Sequence, residues 1–447
     1  MNYQDVKNAV DQSMPQNIAD LTELVAIPSV SADSFDQAHL KTSAQWIAQR
    51  AQALGLDTQI IELNTPSGLT GRPAILARRP AEPGKPTIML YAHHDVQPQG
   101  DESLWNTDPF TATERDGRLY GRGAADDKAG VIAHLAAIAA AKPGVGITLF
   151  IEGEEEIGSP TFRDFLRQYQ EELAADVIIV ADSNNWAVGT PALTTSLRGV
   201  TQVEVELRVL DHALHSGMYG GPILDAVTLA SRLIATLHDD NGDVAIDGLL
   251  ARDETDVDYP EAQLRADAGV LDGVELAGTG SLTSRLWTKP ALAVTAMDVT
   301  PVDLVSNTII PATRFILSLR VCPGQDSAEA AQALCRHLEA HVPFGAQLNI
   351  TINECGPAFE APDSTPAAEA MRWALREAWG CDSVDIGVGG SIPFVADLCE
   401  VFPQAQILVT GIEDPDSRAH SANESLHLGD WRHAIVAEAL LLTRLGE

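Results

Sequence analysis

The stretch Ile147–Ser159, ITLFIEGEEEIGS, constrains this chain more than any other. An apolar run (Ile147, Leu149, Phe150, Ile151) ends in four carboxylates, Glu152, Glu154, Glu155 and Glu156, followed by Gly158 and Ser159. The run is short, β-branched and aromatic, which is the pattern of a buried strand. Four acids at the mouth of such a strand repel one another unless positive charge sits among them, and carboxylates taken out of water are paired or metal-bound. A lone run of glutamates is more often a solvated loop. Recurrence of the same arrangement elsewhere in the chain argues against that reading here.

Thr87–Tyr91 (TIMLY) runs into Ala92-His93-His94-Asp95, and Val177–Val180 (VIIV) runs into Ala181-Asp182. Gln406–Thr410 (QILVT) leads into a Gly/Asp/Pro loop that delivers His420. Leu119–Gly130 (LYGRGAADDKAG) sets Asp126 and Asp127 ahead of a helix expected to be amphipathic through Val131, Leu135 and Ile138. An aspartate there can also serve simply as a helix cap. Open α/β sheets place their ligands at the carboxyl ends of strands. Two histidines with three or more carboxylates on strand ends are what a two-metal hydrolytic site requires.

At 447 residues the chain exceeds one ordinary core, so two domains are expected. Helices are predicted over Asn17–Val25, stopped by Pro28, and over Ser43–Leu54. Beyond Asp182 the texture changes. Val200–Val209, Phe315–Val321 and Leu348–Ile352 alternate apolar and polar residues, the mark of half-exposed antiparallel strands. Ile223–Leu237 carries one apolar helical face, and Asp239–Leu271 reads as a long surface loop. The expected fold is therefore α/β. A catalytic domain with a mostly parallel sheet and metals at its strand ends (residues 1–194 and 359–447) is interrupted by an inserted α+β domain (residues 195–358).

Five cysteines without a CxxC pair suit a reducing cytoplasm and argue against a thiolate zinc site. A net charge of -34 disfavours nucleic acid and anionic membranes as partners. The N-terminal residues lack a cationic start followed by an apolar stretch, so no secretory signal is expected. The alanine-rich segment after Lys128 contains His134 and ends at Lys142-Pro143-Gly144, too polar and short to span a membrane.

Taken together, YAHHDVQP, GRGAADDKAG, EGEEEIGS, the Asp182 strand end, LHSGMYGGP and AHSANE resemble the dinuclear-zinc aminoacylase/carnosinase family of metallopeptidases, and they run in family order. That family includes carnosinase-like dipeptidases, carboxypeptidase G, acetylornithine deacetylase and succinyl-diaminopimelate desuccinylase. The resemblance implies a catalytic α/β domain interrupted by a lid through which subunits form a homodimer. It implies two divalent ions per subunit, zinc first, with manganese or cobalt as alternatives. His93 and Asp182 would hold one ion and Glu156 and His420 the other, with Asp126 bridging and the Asp126–Asp127 peptide cis. Asp95 would steady a ligand imidazole. Glu155 would be the general base, while Glu154 would be structural and His94 a neighbour without a role.

In the lid, the resemblance assigns His215 to oxyanion stabilisation in the partner subunit's site and Arg320 to the substrate carboxylate, with Asn307 and Thr308 near it. His212 is expected to be a surface or packing residue. Gly390 and Ser391, in GGSIP, match a substrate loop of the dipeptidase branch. Gly387 and Val388 depart from the Arg-Glu pair that carnosinase-like relatives carry there, which removes a partner for a free substrate amine. The function implied is hydrolysis of dipeptides with a free C-terminal carboxylate. The alternative is an N-acyl amino acid amidohydrolase, and a non-catalytic binding protein would have no need of Glu155.

Overall fold

In a computed structural model the chain forms two compact units, and residues 2–141, 144–253, 255–362, 364–390 and 393–447 are described. Unit 1 comprises Met1–Thr195, Ala361–Ile386 and Phe394–Glu447, and unit 2 comprises Ser196–Glu360 and Gly387–Pro393. In chain order, the first elements are α1 (Tyr3–Val25), α2 (Ala38–Ala53), β1 (Asp57–Ile61), β2 (Ala74–Arg79) and β3 (Thr87–His93). There follow α3 (Lys128–Ala141), β4 (Gly146–Glu152), β5 (Val177–Asn184), β6 (Ala192–Leu197), β7 (Gly199–Arg208) and α4 (Ala226–Ile234). The remainder are β8 (Ala291–Met297), β9 (Ala312–Val321), α5 (Ser327–His341), β10 (Gln347–Gly356), α6 (Pro366–Trp379), β11 (Gln406–Glu413) and α7 (Leu428–Leu445).

The sheet of unit 1 runs β1-β2-β4-β3-β5-β11-β6. Its centre, β4-β3-β5-β11, is parallel, and antiparallel pairs flank it on both sides. The expected α/β fold with a mostly parallel central sheet is what the structure shows. β4 is buried from end to end, as suits the largely apolar composition of a strand covered on both faces. One cover is a helical layer of α1, α3, α6 and α7, whose apolar residues share a core with the strands. There Trp431 of α7 is fully buried and its indole N–H donates to the Ala129 carbonyl at 3.0 Å. Tyr91, Phe150, Phe162, Phe165 and Phe394 form an aromatic cluster with ring centroids 4.4–5.9 Å apart.

Three helices of unit 1 differ from expectation, α2 by beginning at Ala38 and not Ser43. The first helix begins at Tyr3, not Asn17, and carries Pro15 in its interior. Buried Val6, Val10, Leu21 and Leu24 anchor it on both sides of the proline, so tertiary packing overrides the local break. α3 is not amphipathic, because every residue but Ala139 is buried. It packs against α1, α7 and β3, which leaves it no solvent face.

Unit 2 is a four-stranded antiparallel sheet, β8-β9-β7-β10. Alternate residues Val203, Val205, Leu207, Phe315, Leu317 and Leu319 face a core completed by Leu229, Leu233, Leu334 and Leu338 of α4 and α5. The helix expected over Ile223–Leu237 is shorter, starting at an Asp225 cap and passing into a 3₁₀ turn at Ala235–Leu237. The stretch expected to be wholly loop contains a helix at Glu261–Asp267. No helix among the described residues is long and apolar enough to cross a membrane.

Candidate metal centre

The carboxyl ends of the central strands of unit 1 carry the candidate residues. His93 is the last residue of β3 and lies opposite Glu152 at the end of β4. Asp182 lies near the carboxyl end of β5, and Asp126 precedes α3. The Asp126–Asp127 peptide is cis, as the resemblance implies. His420 occupies a loop in which Arg418, His420 and Asn423 all have positive φ. Non-glycine residues adopt that conformation only where surrounding contacts fix it. Here Asn423 accepts from the Asn106 N–H at 2.8 Å and donates to Leu104 O at 2.9 Å, while Ser425 N–H donates to Ser417 O at 2.9 Å.

Two donor groups result, with ligand atoms within 4.8 Å of one another in each: His93, Asp126 and Asp182, and Asp126, Glu156 and His420. Asp126 is common to both. Its Oδ1 lies 3.0 Å from His93 Nε2 and its Oδ2 lies 3.0 Å from His420 Nε2. His420 Nε2 is also 3.2 Å from Glu156 Oε2. Glu155 sits beside them, its Oε2 4.0 Å from His93 Nε2.

Burial and neighbouring charge together set the titration of these groups. Burial pushes Asp182 up to about 7, with Asp126 and Glu156 adding repulsion against the favourable charge of His93. Burial likewise raises Glu155 well above the carboxylate range, helped by Asp182 and Glu156, and it raises Glu156 with Asp126 adding. Burial opposes the charge on Asp126 too, but hydrogen bonds from His420 and His93 override it and hold this carboxyl well below the usual range. Against burial, Asp126 and Asp95 keep the His93 imidazolium well above its ordinary value. Hydrogen bonds to Asp126 and Glu156 push His420 up to about 11.

Among the largest charges acting on these carboxyls, the cationic ones are the cluster's own histidines, His93 and His420. A set of imidazole and carboxylate donors fits zinc, manganese or cobalt. By its donor chemistry the cluster fits the divalent ions that the resemblance implies.

Neighbouring residues fix the donors. Asp95 is fully buried and accepts from the N–H groups of Glu155 at 3.2 Å and Glu156 at 3.0 Å, with an oxygen 3.5 Å from His93 Nδ1. It therefore orients a donor imidazole and the glutamate turn together. Glu154 is buried and accepts from Thr161 N–H, Thr161 Oγ1 and Arg72 N–H at 2.7, 2.5 and 3.0 Å, a structural anchor. His94 donates to Pro73 O at 2.8 Å, and burial drives its imidazole down to about 4, so it stays neutral and outside the cluster.

Sequence reasoning missed three partners. Gln97 donates to Glu156 from its backbone at 3.0 Å and from its side chain at 2.8 Å. Glu424 and Arg122 form a buried ion pair of 2.6 Å beside Asp126. All three lie in the quoted strings YAHHDVQP, GRGAADDKAG or AHSANE, which was the one signal available.

The remaining candidates belong to unit 2. His215 is exposed, paired across a two-residue ribbon with Thr308, and its Nδ1 accepts from Gly217 N–H at 3.1 Å. Asn307 O accepts from Ser216 N–H at 2.9 Å, and the Thr308 hydroxyl bonds to that of Ser306 at 2.8 Å. Arg320 is half-buried on the face of β9 opposite Phe315, Leu317 and Leu319. Its neighbour Arg198, absent from the sequence expectations, donates to the carbonyls of Gly389, Arg285 and Lys289 at 3.0–3.3 Å. Burial, then the charge of Arg320, lowers Arg198 to about 10. Gly390 is described, whereas Ser391 lies outside the described residues. A Cβ on Gly387 would stand 2.6 Å from Trp287 Cβ, so this position admits no side chain without movement. His212 is exposed, as expected of a surface residue.

A family model described as peptidase family M20/M25/M40 matches residues 89–444. The chain is 33% identical over 425 residues to the cysteinylglycine-S-conjugate dipeptidase of Corynebacterium striatum, covering 93% of this chain and 91% of that protein. It is 27% identical over 452 residues to the β-Ala-His dipeptidase of Rattus norvegicus, covering 94% and 90%. Its fold is similar to the solved structures of the di-peptidase Dug1p from Saccharomyces cerevisiae (TM-score 0.80, 22% identity, 100% and 98% covered) and of human carnosine dipeptidase 1 (0.80, 24%, 100% and 99%). The chain belongs to the peptidase family M20/M25/M40.

Proposed function

We propose that this enzyme is a metallodipeptidase that hydrolyses unblocked dipeptides at a two-metal centre in unit 1. The observation that carries the reading is the pair of donor groups sharing Asp126, with Glu155 beside them. His93, Asp126 and Asp182 would hold one ion, and Asp126, Glu156 and His420 the other, zinc being the first candidate and manganese or cobalt the alternatives. When bound, such ions supply Lewis-acid chemistry, polarising a carbonyl and acidifying water.

The chain's own residues do the rest. Glu155 takes the proton of the attacking water and returns it to the leaving amine, a task for a carboxylate whose affinity for protons burial has raised. Asp95 holds His93 and the Glu155–Glu156 turn in register. Arg320 binds the substrate carboxylate, and the nearby charge of Arg198 favours an anion there. His215 would stabilise the oxyanion of a partner subunit's substrate within a homodimer, with Asn307, Thr308, Gly390 and Ser391 contributing substrate contacts. Five free cysteines suit the reducing cytoplasm as the working compartment.

The absence of an acid at Gly387 and Val388 favours a second reading, an N-acyl amino acid amidohydrolase. One panel separates the two: free, N-acylated and C-amidated forms of the same dipeptides, including Cys-Gly and β-Ala-His, assayed with zinc and with manganese. Free dipeptides should be cleaved best. C-amidated forms should lose about 2–5 kcal/mol of transition-state binding, the range for leaving a buried charge unpaired. A preference for acylated substrates would establish the amidohydrolase, and equal rates on amidated and free forms would remove Arg320 from the site.

A further inference from the structure

Glu424 is fully buried, and Arg122 beside it is 1% exposed. The Glu424 carboxylate gathers four donors. Oε1 accepts from the N–H groups of Ala125 at 2.9 Å and Asp126 at 3.1 Å. Oε2 accepts from Arg122 Nη1 at 2.6 Å and Gly123 N–H at 3.0 Å. Its main-chain carbonyl accepts from Gly121 N–H at 3.0 Å, and Ser425 pairs with Tyr120 in the adjoining short strands. Gly123 is required in this turn, since it has φ +80° and a Cβ there would stand 2.6 Å from Val96.

Glu424 also lies four residues after His420, and Arg122 Nη2 donates to Ser421 O at 3.3 Å. One side chain thereby joins the segment that ends in Asp126 to the segment that carries His420. A carboxylate has about four lone-pair sites, and here each faces a donor. An amide of the same size would present an NH₂ group to two of those donors.

We propose that Glu424 is the positioning residue that sets Asp126 against His420, and so governs both donor groups at once. The proposal rests on the two-metal reading, because only a shared Asp126 makes one residue act on two binding events. It makes an unusual demand: a change outside both donor groups weakens both ions in parallel, whereas Asp182→Asn and Glu156→Gln each remove a donor from one group.

The test uses metal-free protein titrated with Zn²⁺ and Mn²⁺ against a chromophoric chelator, with amide exchange followed at Gly123, Ala125 and Asp126. Glu424→Gln should weaken both events by about 10- to 100-fold, the usual effect of removing a residue that orients ligands, and deprotect those three amides. In the Mn²⁺-loaded protein the exchange-coupled electron paramagnetic resonance signal, which reports the shared carboxylate, should be lost. Arg122→Met removes one donor of the four and should give a milder loss, again in parallel. It decides the matter if Glu424→Gln fails to fold. Unchanged affinities and amide protection, or loss at one group alone, would overturn the proposal. A wild-type protein that binds a single ion overturns the two-metal reading instead, and amide exchange with the affinity for that ion then still decides the role of Glu424.

Discussion

Metal affinity at the proposed centre should rise steeply with pH, because each ion must displace protons from its imidazole and carboxyl donors. His420, held at about 11 by Asp126 and Glu156, is cationic throughout the neutral range, and His93 is raised well above its ordinary value. Each must lose one proton to become a ligand, so each group gains about tenfold in affinity per pH unit, or about 100-fold between about pH 6 and 8. Asp182, pushed up to about 7 by burial, is about nine-tenths protonated at the lower limit and about one-tenth at the upper, which adds about tenfold to its own group. The His93 group should therefore gain about 1000-fold over that span.

The assay is chelator competition across the range, with calorimetry at about pH 7 in two buffers of different ionisation heat. Filling both groups should release at least about two protons. Asp182→Asn should flatten the slope of one event. Affinities that do not change with pH, or metal uptake without proton release, would refute the charge argument for the cluster.

Three further outcomes follow from other contacts. Glu155→Gln should keep its metal and lose about 10²- to 10⁴-fold in kcat, and near-normal turnover would remove Glu155 as the base. Glu438→Leu should destabilise the fold by about 1–3 kcal/mol, because the His134 imidazole, neutral once the carboxylate is gone, keeps a buried Nδ1 without the partner it contacts at 2.9 Å. Burial lowers His134 but the charge and hydrogen bond of Glu438 outweigh it, so the folded value is raised. The pair's contribution is then full below the unfolded value of about 6.5 and fades as pH climbs through the folded one. Chemical denaturation of both proteins in acidic and alkaline buffer checks that sign. Mixing His215→Ala with Glu155→Gln subunits should restore activity, since one site of the heterodimer has both groups intact, and no recovery on subunit exchange would exclude action in trans.

The parallel core was legible because each buried strand is a short, largely apolar run: TIMLY, ITLFI, VIIV and QILVT all lie in strands of unit 1. Among the candidate donors His93 and Asp182 were legible for the same reason, since an ionisable residue at the end of such a run stands out, whereas Asp126 and His420 lie in loops and were assigned through the resemblance. α1 was under-read because Pro15 looks like a stop until the packing on both sides is known. α3 was misread because an alanine-rich helix buried all round leaves no polar face to define its orientation. The helix at Glu261–Asp267 was lost in an acidic stretch without apolar periodicity. Gln97, Arg122 and Glu424 are ordinary polar residues in loops, and their role exists only where those loops meet. The His134–Glu438 pair joins residues 304 apart, a distance at which one sequence carries no signal.

The central claim is that this chain hydrolyses free dipeptides at a centre of two metal ions. It is tested most directly by stripping the protein with chelator and titrating zinc or manganese back while following hydrolysis of an unblocked dipeptide such as Cys-Gly. Activity should vanish in the stripped protein and return to its limit at two ions per chain. Full activity without metal, or at one ion per chain, would contradict it.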